Sequence, residues 1–185
     1  PISESHLRIQ RSTANQPFMK HVYVIDDNEI VGETLGKTLS RLGYSTEVFT
    51  EPLAFLENTL PVSPAVILLD MRMPTMSGVD LQKKLLAVER QTPIIFMSGE
   101  SQHTEIVQAM KQGAVDFLFK PFNLEDLLTA IESALSKDLQ ESAKAIVRVD
   151  LRSRYNSLTS REKEVCTLLV RGMLSKAIAI ELGIS

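Results

Sequence analysis

Between Lys20 and Lys137 the chain alternates five times between a short apolar run and a segment of helical period. The runs are HVYVID (21–26), YSTEVF (44–49), AVILLD (65–70), PIIFMS (93–98) and AVDFLF (114–119). The intervening segments predict helices over 29–42, 52–60, 78–90, 102–112 and 123–136. In the first helix Ile30, Leu35, Leu39 and Leu42 recur at near-helical spacing and Gly43 supplies the stop. Apolar strands separated by helices imply a parallel sheet covered on both faces. Right-handed crossovers then give a doubly wound α/β domain. Ligand sites in such a sheet form outside the carboxyl ends of the strands.

Those ends carry the chemistry. The first strand closes on Asp26-Asp27, the third on Asp70, the fourth on Ser98-Gly99 and the fifth on Lys120-Pro121. A parallel sheet puts them on one edge, so acids, a hydroxyl and a lysine that are distant in sequence converge. Crowded carboxylates repel and call for a cation. Hard oxygen donors without His or Cys select Mg²⁺, which takes one or two carboxylates, waters and a phosphate oxygen. An ionised Asp beside Mg²⁺ can attack phosphorus. Lys120 and the Ser98 hydroxyl would then stabilise the phosphoryl oxygens. His6, His21 and His103 are isolated along the sequence and are expected as surface or core residues. Met71, Met73 and Met76 are expected to pack around the site rather than bind metal.

With MRMPTMSG following Asp70, residues 20–137 resemble a response-regulator receiver domain of two-component signalling. The resemblance implies a five-stranded flavodoxin/CheY-like sheet of order 2-1-3-4-5. It makes Asp70 the phosphoacceptor. Asp26, Asp27, Asp70 and the backbone carbonyl of Arg72 become the Mg²⁺ ligands, Ser98 the switch hydroxyl, Phe117 the switch aromatic and Lys120 the catalytic lysine. Phe117 stands where many relatives have Tyr, so it can rotate inward but cannot make the hydroxyl contact. The Lys120-Pro121 bond is often cis in such domains.

Residues 1–19 show no clear period and no apolar signal segment, and are read as an N-terminal extension. Residues 138–157 are polar with sparse apolar positions. They either extend the preceding helix or form a linker, and a long helix breaking near Asn156 is favoured. A second motif, LTSREKEVCTLLVRGMLSKAIAIELGIS, fills 158–185. Thr159 and Glu162 form a capping box. Val165, Leu168 and Leu169 make an apolar stripe, and Gly172 suits the helix end. Ser175 can cap a second helix that contains Ile178 and Leu182 and stops at Gly183. Cys166, the sole cysteine, is expected as a buried small hydrophobe.

LTSREKEV, the Gly172 turn and KAIAIELGIS resemble the LuxR-type helix-turn-helix of FixJ/NarL-type regulators, in partial form. Ser175 and Ala177 stand where that family commonly has Asn and Glu. Ser185 would cap the next helix, which in the family reads the major groove. Base-reading residues are therefore expected outside these residues, leaving Arg171 and Lys176 as candidate phosphate contacts. Residues 1–137 hold 12 Lys/Arg against 17 Asp/Glu, while 138–185 hold 8 against 6. A mildly basic C-terminal part gives weak support for nucleic acid.

The leading expectation is a transcription regulator that accepts a phosphoryl group from a sensor histidine kinase, dimerises through the surface of residues 102–136, and binds DNA. The single cysteine and the lack of any apolar run of ~20 residues fit a cytoplasmic protein without membrane contact. An alternative is a phosphatase of the haloacid-dehalogenase kind, which needs a second acid two residues after the nucleophile. Arg72 occupies that position, so the chain is expected to act on its own aspartate only. A receiver that signals purely by protein contacts is the third possibility.

Overall fold

The apolar runs become β1 (His21–Ile25), β2 (Ser45–Phe49), β3 (Ala65–Asp70), β4 (Ile94–Ser98) and β5 (Asp116–Phe119). In this computed structural model residues 19–57, 64–88, 90–99 and 103–183 are described. Most of the N-terminal extension, His6, the end expected for the second helix (58–60), position 102 and Ser185 lie outside them. The helices of the sheet domain are α1 (Glu29–Arg41), α2 (Pro52–Glu57), α3 (Gly78–Ala87), α4 (His103–Lys111) and the start of α5 (Leu124–Ser157).

All strand pairs are parallel, in the order β2-β1-β3-β4-β5. β3 lies at the centre and every one of its six residues is buried, as its unbroken apolar run requires. Strand period divides the core. Tyr23, Ile25, Ile67, Leu69 and Phe96 pack with Phe55, Leu81 and Leu85 on one face. Val22, Val24, Val66, Leu68, Ile95 and Met97 pack with Leu39, Leu127 and Ile131 on the other.

α1 departs from its expected stripe. Ile30 and Leu42 are exposed, and the buried positions are Gly32, Gly36 and Leu39. A Cβ at Gly32 or Gly36 would stand 2.9 or 2.7 Å from a Val48 methyl. The missing side chains let the helix lie close on β2. β5 also begins later than expected, at Asp116, with Ala114 and Val115 leading into it.

The chain divides into two compact units, residues 1–140 and 141–185, with the boundary inside α5. α5 continues to Ser157, in line with a helix breaking near Asn156. In the second unit α6 (Ser160–Val170) opens with the Thr159–Glu162 capping box, and a turn at Gly172 (φ 81°) leads to α7 (Ser175–Leu182). Two expectations fail here. Leu174 is the N-cap of α7 and makes no side-chain cap bond, so Ser175 is already helical. Cys166 is half-buried and α6 has no fully buried residue, because two short helices cover little of one another. Leu169 is exposed, while Ile178 is buried. No helix of the described residues is long and apolar enough to cross a membrane.

Candidate functional site

Parallel order brings the ends of β1, β3, β4 and β5 to one edge of the sheet. Asp26 follows β1 and Asp70 is the last residue of β3, and both are buried, at 1% and 7% exposure. Between them stands the ammonium of Lys120, just past β5. Its Nζ lies 2.6 Å from Asp26 Oδ2 and 2.7 Å from Asp70 Oδ1. The remaining oxygens are also held. The backbone N–H of Asn28 donates to Asp26 Oδ1 at 3.0 Å, and that of Arg72 to Asp70 Oδ2 at 2.8 Å. Both carboxylates are thus fixed in orientation.

Ser98 is buried at the end of β4, where Met97 pairs with Asp70. Its carbonyl accepts from the N–H of Lys120 at 2.8 Å, which ties β4 to the lysine. The Lys120-Pro121 bond is cis. Phe117 is half-buried, packs against the core and meets Phe119 edge-on, with ring centroids 4.9 Å apart. Met71 and Met73 are buried in the core and Met76 packs against it.

The acids do not converge as a trio. Asp27 is exposed, and among the described residues no three His, Cys, Asp or Glu stand close enough to hold a metal together. Lys120 stands between the other two. The donor chemistry still fits Mg²⁺, which needs only one or two carboxylates, and Asp26 and Asp70 offer hard oxygens alone.

Burial raises the Asp70 carboxyl above its usual range, and the hydrogen bond and charge of Lys120 offset part of that rise. Burial would lower Lys120, but hydrogen bonds to Asp26 and Asp70 and their charge outweigh it and raise the ammonium. Lys120 therefore stays charged at neutral pH.

One residue and one side-chain contact escaped the sequence reading. Gly78, at the start of α3, lies against the end of β3. A Cβ there would stand 2.4 Å from the Asp70 carbonyl oxygen and 3.0 Å from the Phe96 ring. The signal was the Gly ending MRMPTMSG, a helix start in close contact with a strand. Arg72 also reaches beyond the loop, with its guanidinium 3.9 Å from Glu105 of α4. In the second unit Arg171 and Lys176 are exposed.

Residues 22–132 match the family described as response regulator receiver domain. The chain belongs to this family. It is 40% identical over 164 residues to response regulator protein TmoT of Ectopseudomonas mendocina, spanning 89% of this chain and 74% of that one. It is 36% identical over 165 residues to transcriptional regulatory protein FixJ of Bradyrhizobium diazoefficiens, spanning 89% and 80%. Among solved structures it is similar to the response regulator StyR, with TM-score 0.77 and 39% identity over 90% of this chain and 84% of that one. As a response regulator it is part of a two-component system, with FixJ-type transcription regulators among its relatives.

Proposed function

We propose that this response regulator takes a phosphoryl group onto Asp70 from a sensor histidine kinase and controls transcription through its C-terminal helices. The observation that carries the reading is the pairing of Asp70 with Lys120 beside buried Asp26. An Asp70 oxygen attacks phosphorus as the phosphorus–nitrogen bond of a phosphohistidine breaks, and the imidazole leaves with a proton from solvent. Lys120 would neutralise the incoming phosphoryl oxygens, and the Ser98 hydroxyl would donate to one. Asp26 and Asp70, with the Arg72 carbonyl, would hold Mg²⁺, which would supply further charge neutralisation. The chain acts on its own aspartate, not on external phosphate esters.

Phosphorylation adds about −1.5 to −2 charge at Asp70. In this reading Ser98 and Phe117 then shift toward the phosphoryl group and bias the surface of α4, β5 and the start of α5 toward dimerisation. Dimerisation sets two DNA-binding domains in register with paired half-sites, and Arg171 and Lys176 contact phosphate. The test is intact mass after incubation with Mg²⁺ and acetyl phosphate, followed by a size measurement. One phosphoryl adduct, lost with Asp70→Asn or EDTA and accompanied by a larger species, supports the proposal. No adduct with acetyl phosphate, and no response to beryllofluoride, refutes it.

A further inference from the structure

The charge of α5 reverses along its length. Residues 124–141 carry five acids and one base, whereas 142–157 carry one acid and four bases. The acids of the first part are put to structural use: Glu132 pairs with Lys20, and Asp138 accepts from the N–H of Ala65, at the start of β3. The bases of the second part are only partly matched. Lys144 pairs with Glu141 and Arg154 with Asp150. Arg148 and Arg152 are exposed and have no acidic partner among the described residues.

Lys144, Arg148 and Arg152 follow one another at intervals of four, so they form a ridge on one face. Each step advances about 6 Å along the helix axis. One strand of duplex DNA presents a phosphate every ~3.4 Å along its own axis. The long side chains of successive ridge residues can therefore reach neighbouring phosphates. Arginine suits this use, because its fork of donors matches phosphate oxygens and stays charged. An ordinary solvated face of a helix mixes the two signs; here Glu141 pairs with Lys144 at the start of the row, the Arg148 and Arg152 positions that follow carry one sign, and the row lies in the same unit as α6 and α7.

We propose that the basic half of α5 is a DNA-backbone contact, in which Arg148 and Arg152, with Lys144 a turn earlier, hold phosphates of duplex DNA. This rests on the DNA-binding reading above and gives the segment between the two motifs a role beyond spacing. Contacts of this kind add affinity and salt dependence without reading sequence.

The test is fluorescence anisotropy of the full chain on a mixed-sequence DNA duplex across a range of KCl concentrations. The variants are Arg148→Gln/Arg152→Gln, its charge-keeping counterpart Arg148→Lys/Arg152→Lys, and Lys37→Gln in α1 as a control. Each lost phosphate contact lowers the slope of log affinity against log salt by about 0.9, so the Gln pair is expected to lower it by roughly 1.8. The Lys pair should restore most of the slope and Lys37→Gln should leave it unchanged. Circular dichroism on each variant checks that the helix persists. An unchanged slope in the Gln pair, with wild type binding normally, overturns the ridge and leaves the DNA-binding reading standing. Absence of any wild-type binding, with or without acetyl phosphate, overturns both. Ile146 and Val149 are also exposed on this helix, so vesicles of phosphatidylserine and phosphatidylcholine are a parallel arm. Loss of vesicle binding in the Gln pair without change on DNA assigns the surface to membrane and overturns the proposal.

Discussion

The Lys120 ammonium lies 2.7 Å from Oδ1 of Asp70, yet the acid titrates above its usual range as well as the base. The pair is therefore asymmetric. Lys120 is shared with Asp26, and two carboxylates hold its proton. Asp70 has one share of a lysine and is buried at a strand end, where its charge is costly. In the proposed reaction a second cation beside Asp70 would lower that cost.

Removal of the lysine exposes what it balances. Lys120→Ala leaves Asp26 and Asp70 buried with no ammonium between them, and a stability loss on the order of 3 kcal/mol is expected. Urea denaturation at neutral pH measures it. The loss should shrink as pH falls and Asp70 takes up a proton. It should also shrink in an Asp70→Asn background, because the two residues share one interaction. At the other extreme, the lysine's contribution is complete below its ordinary value of 10.5 and is lost as pH rises through its elevated value in the fold. Equal losses in both backgrounds would mean that Lys120 serves Asp26 alone.

Asp70→Asn should stabilise the protein at neutral pH. An acid whose value is raised by folding binds its proton more tightly in the folded state. Its contribution is absent below the unfolded value near 3.8, turns unfavourable as pH rises above it, and is complete once pH passes the raised folded value. The variant removes that cost and keeps one acceptor oxygen, which can hold the bond from Lys120 or the bond from the Arg72 N–H but not both. A gain of about 0.5–2 kcal/mol is expected, the range of ordinary stabilising substitutions. The check is thermal melts from acid to neutral pH. The advantage should open as pH rises and close at the acid end. A variant less stable at neutral pH would show that the pairing with Lys120 outweighs burial.

Gly78 ties the fold to the site. With Cβ only 2.4 Å from the Asp70 carbonyl oxygen, Gly78→Ala must push α3 away from the end of β3. Overpacking of this kind costs about 1–3 kcal/mol. Because the displaced backbone belongs to Asp70, phosphoryl uptake from acetyl phosphate should slow as well. Melts and adduct formation followed by mass spectrometry test the two effects together. A variant with normal uptake and normal stability would show that the loop yields without disturbing the strand.

The sheet could be read in the sequence because its inner strands β1, β3 and β4 are apolar and buried almost throughout, and the edge strands follow from their alternation with helices. Their ends then fixed Asp26, Asp70, Ser98 and Lys120 on one edge. The pair Asp26-Asp27 was harder, since both follow the strand and apolar period does not say which of them is covered; Asp26 is buried and Asp27 exposed. Gly32, Gly36 and Gly78 were invisible to a search for apolar period, because each acts through a side chain it lacks. The α7 start was misplaced for a related reason. Ser175 has good capping chemistry, but the chain already turns helical there, and its hydroxyl caps nothing.

Tyr23 offers a separate test of the core. Its ring is buried between Phe49 and Phe55, and its hydroxyl has no hydrogen-bond partner among the described residues. Burial, with added repulsion from Glu47, pushes the phenol up to about 12. Both observations describe a polar atom in a place that favours a neutral, apolar group. An unpartnered buried polar group costs about 1–3 kcal/mol. Tyr23→Phe keeps the ring and removes the oxygen, so it should raise stability by about 1 kcal/mol without altering the Asp70 site. Chemical denaturation measures the gain. Ultraviolet titration of the wild type should show two tyrosines ionising late, Tyr23 and Tyr44, each pushed up to about 12, and the variant should lose the Tyr23 share of that late component. Tyr44 is raised to a similar value by burial and its bond to Glu132, so a component from Tyr44 remains and calibrates the comparison. A destabilised Tyr23→Phe would mean that the hydroxyl has a partner, and the orphaned oxygen would no longer explain its high titration point.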